Sequence, residues 1–150
     1  MSTIRSFRGK LADEQIDTIT LHTNTGSTGY RIIKFEVMTA DSVGSKEGAN
    51  LVSIYKIPQT VALDSADFTD NTLLAAADYR QHDNEAYGNS GNTIIFDSEV
   101  FNQDIYVTNK EFTNKGTAMN YYIELEIVKL SLTENTVATL KDIRNIIRDE

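Results

Sequence analysis

The segment from Met119 to Leu130 constrains the fold most strongly, because apolar and polar residues alternate along most of it. The odd-numbered positions carry Met119, Tyr121, Ile123, Leu125 and Ile127, and the even-numbered positions carry Asn120, Tyr122, Glu124 and Glu126. A period of two is typical of a β-strand with one buried face and one solvated face. A helix would scatter these apolar residues around its circumference. The segment therefore predicts a strand in a half-exposed sheet.

Two shorter segments near the N-terminus carry the same pattern. In Tyr30–Met38 the predicted inward residues are Ile33, Phe35 and Val37, and in Asp17–His22 they are Ile19 and Leu21. Residues 23–29, which lie between the two segments, are Thr, Asn, Ser and Gly, residues that favour turns. The sequence therefore predicts an antiparallel hairpin made of these two strands.

Four further segments complete the predicted strands. Leu51–Ile57 ends at Pro58, which cannot donate a hydrogen bond within a sheet. Asn92–Asp97 and Asp104–Asn109 are rich in residues that favour strands. Leu73–Tyr79 contains Leu-Leu-Ala-Ala-Ala, which favours a helix, but its shortness and its polar flanks favour a strand. Strands that recur between turn-rich loops predict a mainly β fold, an antiparallel sandwich of the jelly-roll kind.

The C-terminal tail changes period. Its apolar residues recur at helical spacing: Val137, Leu140, Ile143, Ile146 and Ile147. Ser131-Leu132-Thr133-Glu134 matches a capping box at the start of a helix. We expect one domain with an N-terminal arm at 1–12, a sandwich at 13–131 and an amphipathic helix at 132–150. The simpler interpretation of its apolar stripe is that the helix closes one end of its own sandwich, and the alternative is that the stripe docks on a neighbouring subunit.

Composition and charge narrow the possible partners. The 150 residues include no cysteine, which excludes disulfides, thiolate metal sites and a cysteine nucleophile. The formal net charge of −8 disfavours nucleic-acid binding. Arg5, Arg8 and Lys10 are clustered in the N-terminal arm, where we expect them to face solvent or a partner. The sequence has no apolar run long enough to span a membrane and no secretory signal, so we expect no membrane partner.

The candidate metal ligands are few. His22 is expected at a strand end, and His82 lies in a polar loop beside carboxylates, but neither fits a metal-ligand spacing. Asp64, Asp67 and Asp70 recur at every third position and could hold calcium, although the segment lacks the glycine and glutamate of an EF-hand loop. A turn-rich connection explains them more simply, so we expect no metal and no cofactor.

Candidate catalytic and sugar-binding residues are equally sparse. Glu124 and Glu126 could form a glycosidase pair, but a solvated sheet face usually carries charge anyway. Tyr87, Tyr106 and Tyr122 could stack on sugars, or pack across strands. The chain contains no phosphate-binding glycine loop and no nucleophile elbow. We therefore expect a protein that is not an enzyme.

Several segments carry a resemblance to a known group of proteins. They are Thr28–Ile32, Asp70–Ala76, Thr93–Asp97, Phe101–Thr108, Met119–Glu126 and Val137–Arg144. They resemble small virion-associated proteins of marine tailed bacteriophages, such as cyanophages, from about Thr20 onward. The resemblance implies a virion protein made in the bacterial host cytoplasm. It supplies no catalytic residues to transfer to this chain.

Together these observations predict a phage structural protein, most simply a capsid decoration (cement) or minor capsid protein. Its partners would be the major capsid protein or other virion subunits, and the chain would form a homo-oligomer such as a trimer. The predicted interface residues are Arg5, Arg8, Val137, Leu140, Ile143 and Ile147. The alternatives are a tail component or a receptor- or glycan-binding module and, less well supported, a glycan hydrolase.

Overall fold

The computed structural model describes residues 3–23, 25–40, 48–81, 92–113 and 116–131, and these are mainly β. The strands are β1 (Thr3–Leu11), β2 (Ile16–Ile19), β3 (Thr28–Thr39), β4 (Gly48–Tyr55), β5 (Leu73–Gln81), β6 (Asn92–Phe96), β7 (Ile105–Glu111) and β8 (Met119–Lys129). They form a three-stranded sheet in the order β1-β8-β3 and a five-stranded sheet in the order β2-β7-β4-β5-β6. All neighbouring strands are antiparallel, so the predicted sandwich-like class is confirmed.

Strand β8 is the centre of the three-stranded sheet and confirms the alternation read from its sequence. Met119, Tyr121, Ile123 and Leu125 are buried in the core, whereas Asn120 is exposed on the outer face. The core between the sheets also includes Phe35 from β3 and residues of β4, β5 and β7. Burial of the apolar face of each sheet against the other stabilises both.

Strand β3 shows where a strict period of two fails. Its pairing with β8 shifts between Ile32 and Lys34, which marks a β-bulge at Ile33. Because the extra residue reverses the alternation, Ile32 is buried and Ile33 is only half-buried. Phe35 and Val37 do face the core, as predicted, but the inward placement of Ile33 was wrong.

The predicted hairpin between the first two segments is also wrong. β2 pairs with β7 in the five-stranded sheet, whereas β3 pairs with β8 in the other sheet. The turn-rich residues between them carry the chain from one sheet to the other. Ile19 and Leu21 are buried as predicted, although Leu21 lies beyond the end of β2. A polar loop suits a crossover between sheets as well as a hairpin turn, so the loop composition could not distinguish them.

Strands β4 and β5 lie in the middle of the five-stranded sheet. β4 is buried on both faces over most of its length, and residues 64–66 line a concave region together with its residues Ala49 and Leu51. The prediction of a strand at Leu73–Tyr79 is confirmed. Ala75 and Ala77 face the core from β5, so their small side chains suit a closely packed strand despite their preference for helices.

The two ends of the chain differ in what the structure describes. The segment that we assigned to an N-terminal arm contains β1, which pairs with β8 from Thr3↔Ile127 to Leu11↔Met119. The predicted C-terminal helix at 132–150 lies outside the described residues.

Candidate functional site

The edge of β1 is an open sheet edge of nine residues in the described part of the chain. β1 forms one border of its sheet, and no strand among the described residues pairs with its other side. Eight of its nine residues are exposed or half-buried, and Ile4 keeps 52% of its surface accessible. An open edge presents unpaired backbone N–H and C=O groups, which a further strand can bind.

Positive charge is concentrated on this edge. Arg8 and Lys10 point to the outer face of the sheet and line a shallow depression of about 500 Å³ together with Glu36 and Tyr122. Arg5 points to the other face, where its guanidinium lies 5.2 Å from the centre of the Phe7 ring. Within the described ranges, no carboxylate lies at ion-pair distance from these three cations.

Gly9 allows β1 to lie close to the side chain beneath it. A Cβ atom at this position would lie 2.7 Å from the Tyr121 hydroxyl and 2.8 Å from its ring. The hydroxyl of Tyr121 donates a hydrogen bond to Asp17 at 3.2 Å. Burial, followed by the nearby Asp17 charge, raises the pKa of Tyr121 far above its usual range, which keeps the hydroxyl protonated as a donor.

The outer face of the same sheet carries both glutamates considered for hydrolysis. Glu126 forms an ion pair with Arg31, and Glu124 lies 3.9 Å from Lys34. The Lys34 ammonium also lies 5.8 Å from the centre of the Tyr122 ring. These are cross-strand pairs between β3 and β8, and neither glutamate lines any of the concave regions described here.

A second concave region lies beside the edge strand β6. This groove has a volume of about 350 Å³, and its exposed apolar walls are Phe68, Ile95 and Phe96. Asp70, Asp97 and Glu99 supply carboxylates along the same groove. Aromatic rings beside hydrogen-bond acceptors can bind a ligand that has both apolar and hydroxyl-bearing surfaces.

The carboxylates of the groove are already held by the protein. Asp70 Oδ1 accepts hydrogen bonds from the backbone N–H and the hydroxyl of Thr72 at 2.8 and 2.6 Å. Glu99 accepts a hydrogen bond at 3.0 Å from the ammonium of Lys56, a side chain that is only 1% exposed. The charges of the groove are therefore fixed in place before any ligand arrives.

The three aspartates considered for calcium do not converge on one point. Hydrogen bonds from the Thr69 hydroxyl and backbone N–H hold the pKa of Asp67 below its usual range. Asp70 bonds Thr72 in the same way, so both residues stabilise turns. In the described part of the chain, no group of three or more His, Asp or Glu side chains could hold a metal ion.

The remaining candidates have structural contacts or lie outside the described residues. Burial alone would raise the pKa of Asp104, but hydrogen bonds from His22 and Leu21 outweigh it and hold the pKa below its usual range. The ring of His22 lies 2.7 Å from the Asp104 carboxylate. Tyr106 and Tyr122 are half-buried on strands. The candidates that lie outside the described residues are His82, Tyr87, Val137, Leu140, Ile143 and Ile147.

Arg5 and Arg8, which the sequence predicted as interface residues of an N-terminal arm, lie on the open edge strand β1, whereas the groove beside β6 was not predicted. Its apolar walls come from the connection after β4 and from β6, and only the fold brings them together. The feature of the sequence that could have indicated this groove is Phe68, a single phenylalanine within the mostly polar residues 64–72.

Comparisons with protein-family models, with curated proteins and with solved structures find no match to this chain. The described residues contain no helix long and apolar enough to cross a membrane.

Proposed function

We propose that this chain is a structural protein of a bacteriophage particle, a capsid decoration or minor capsid protein that packs against the major capsid protein or other virion subunits. The observation that carries the proposal is the placement of exposed apolar side chains. Five of the eight large apolar side chains exposed in the described residues lie on the β4–β5 connection or on β6: Val61, Leu63, Phe68, Ile95 and Phe96. Exposed apolar surface of this kind is typical of interaction sites.

The pairing of the strands supports a jelly-roll topology for the sandwich. β1 pairs with β8, β2 with β7 and β4 with β5. Tyr30 of β3 forms a bridge with Phe101, which follows β6. These nested pairs correspond to one long antiparallel ribbon rolled into two sheets. Jelly rolls occur in viral capsid domains and in lectins, so the topology agrees with the leading proposal and with the second candidate below.

Localisation on purified particles tests the proposal. We expect immunogold labelling or cryo-electron microscopy to place the protein on the phage head. Its presence only on the tail would favour the second candidate, and its absence from washed particles would refute a virion role.

The proposal includes self-assembly into a homo-oligomer such as a trimer. Size-exclusion chromatography with light scattering should give a mass above that of one chain. A Leu140→Glu/Ile143→Glu variant should reduce that mass if the apolar stripe predicted from the sequence forms the interface. A monomeric wild-type protein over a wide concentration range would contradict self-assembly.

The second candidate is a tail component or a receptor-binding module that recognises glycans. The groove beside β6 favours it, because Phe68 and Phe96 can stack on a sugar ring while the carboxylates accept hydrogen bonds from sugar hydroxyls. A glycan array should then show binding by the wild-type protein that is lost in Phe68→Ala. The Phe112→Ala variant is a matched control, because Phe112 is an exposed phenylalanine outside the groove.

A further inference from the structure

We propose that the open edge of β1 binds an acidic, extended segment of a partner protein, which adds a fourth strand to the β1-β8-β3 sheet. This inference rests on the proposed assembly role and names the chemistry of one partner. The first argument is geometric: β1 spans nine residues, is paired along its whole length with β8, and leaves its other side unpaired among the described strands. Strand addition uses backbone hydrogen bonds for affinity and alternate side chains for specificity.

The charges on β1 select the partner. Arg8 and Lys10 are two residues apart, and both point to the outer face of the sheet, because they pair with the outward residues Tyr122 and Asn120 of β8. A partner strand would place two alternate side chains directly opposite them. Opposite charges across strands are stabilising and like charges are destabilising, so these two side chains should be acidic.

The positive charges elsewhere on this face are already neutralised. Arg31 and Lys34 of β3 lie beside Glu126 and Glu124. Arg8 and Lys10 form no ion pair in the described ranges. The depression that they line holds these two cations and one carboxylate, that of Glu36, so it keeps an excess of positive charge on a chain of net charge −8. The contrast favours an acidic partner at this one edge.

Ile4 adds an apolar contact at the other end of the strand. It points to the same outer face as Arg8 and Lys10, and 52% of its surface is exposed. The preferred segment therefore carries two acidic residues at alternate positions and an apolar residue farther along the same face. A second copy of β1 fits this description poorly, because full antiparallel overlap would bring six cations and no anion together on two adjacent strands.

Binding of a model peptide to the purified chain tests this inference. The probe is a nine-residue peptide that has glutamate at two alternate positions, valine farther along the same face and threonine elsewhere, and the control peptide has lysine in place of glutamate. Fluorescence anisotropy should show binding of the acidic peptide only. Hydrogen exchange should show added protection at β1 amides that do not bond to β8.

Two charge-matched variants localise the effect. Arg8→Glu/Lys10→Glu should weaken binding of the acidic peptide about tenfold or more. Arg80→Glu/Lys129→Glu changes the total charge equally at two exposed cations outside β1, one on β5 and one at the end of β8, and should leave the affinity within about twofold. Circular dichroism spectra that match the wild type would establish that both variants fold.

Other results would overturn the inference. They are equal binding of both peptides, equal weakening by both variants, an absence of β1 protection, or no binding at about 1 mM peptide. Self-association of the wild-type chain through β1 would replace the acidic partner by a second copy. The peptide assay uses only the purified protein, so its result does not depend on particle labelling. Failure of peptide binding would refute strand addition at β1, whereas failure of labelling would refute the virion role.

Discussion

Replacing Asn50 by alanine should strongly destabilise the fold, because its buried amide joins β4 to β7 and to the segment before β8. The Asn50 Nδ2 group donates hydrogen bonds to Asn109 Oδ1 and to the Thr117 carbonyl oxygen, both at 3.0 Å. Its Oδ1 atom accepts one from the Thr117 hydroxyl, also at 3.0 Å. All three residues are at most 3% exposed, so water cannot replace the lost partners without rearrangement.

The size of the effect follows from these three bonds. A buried hydrogen bond contributes about 1 kcal/mol to stability, so Asn50→Ala should lower the free energy of unfolding by about 3 kcal/mol. For a chain of this length, that loss corresponds to a fall of about 6–12 °C in Tm. Asn50→Asp should cost at least as much, because a carboxylate cannot donate to the two oxygens that face it.

Urea denaturation followed by circular dichroism measures this difference. The control is Asn120→Ala, since Asn120 is exposed on the outer face of β8 and should change stability by less than about 0.5 kcal/mol. A loss below about 1 kcal/mol for Asn50→Ala, or a loss equal to that of the control, would refute the reasoning.

Three further predictions use contacts elsewhere in the fold. Gly9→Ala should cost about 1–3 kcal/mol in urea denaturation, because its new Cβ would displace the Tyr121 ring, and an unchanged midpoint would contradict this packing. The lowered pKa of Asp104 means that its stabilisation is complete above its ordinary pKa of 3.8 and is lost as the pH falls through the folded-state pKa. The loss of Tm between about pH 7 and about pH 3 should therefore be smaller in Asp104→Asn, and equal losses would count against the assignment. Lys56→Ala should cost about 3 kcal/mol by thermal denaturation, since it removes the buried ammonium that bonds the Glu99 carboxylate at 3.0 Å. If Lys56→Met retained the full stability of the wild type, the effect would instead come from packing of the lysine stem.

Local pattern predicted the strands whose two faces differ most in burial. In β8 the alternation survives because its inward residues meet the core and its outer face meets solvent. The pattern failed at Ile33, where an extra residue in β3 shifts the register. It also missed β1, because that edge strand is exposed on both faces over most of its length and so shows no alternation.

Pairing partners could not be predicted from local pattern, since they join residues far apart in the chain. Residues 23–29 have the composition of a hairpin turn, yet β2 and β3 on either side belong to different sheets. The groove beside β6 likewise combines Phe68 with Ile95 and Phe96, which are far from it in the sequence. The charges of Arg5 and Arg8, in contrast, were visible in the sequence, and the structure adds that they lie on a sheet edge.

The distribution of charge connects the proposed assembly role with the proposed strand-binding edge. A net charge of −8 opposes non-specific association between copies of the chain. On the outer face of the three-stranded sheet, the cations of β3 lie beside the glutamates of β8. Arg8 and Lys10 on β1 form no ion pair among the described residues, and the depression that they line contains one carboxylate, that of Glu36. Long-range repulsion would then oppose non-specific contacts between copies, while a short basic edge would select an acidic strand presented by a partner. Binding at this edge should consequently weaken as salt rises, whereas self-association through an apolar surface should not. Measuring peptide binding and oligomer mass at low and high ionic strength separates these two surfaces.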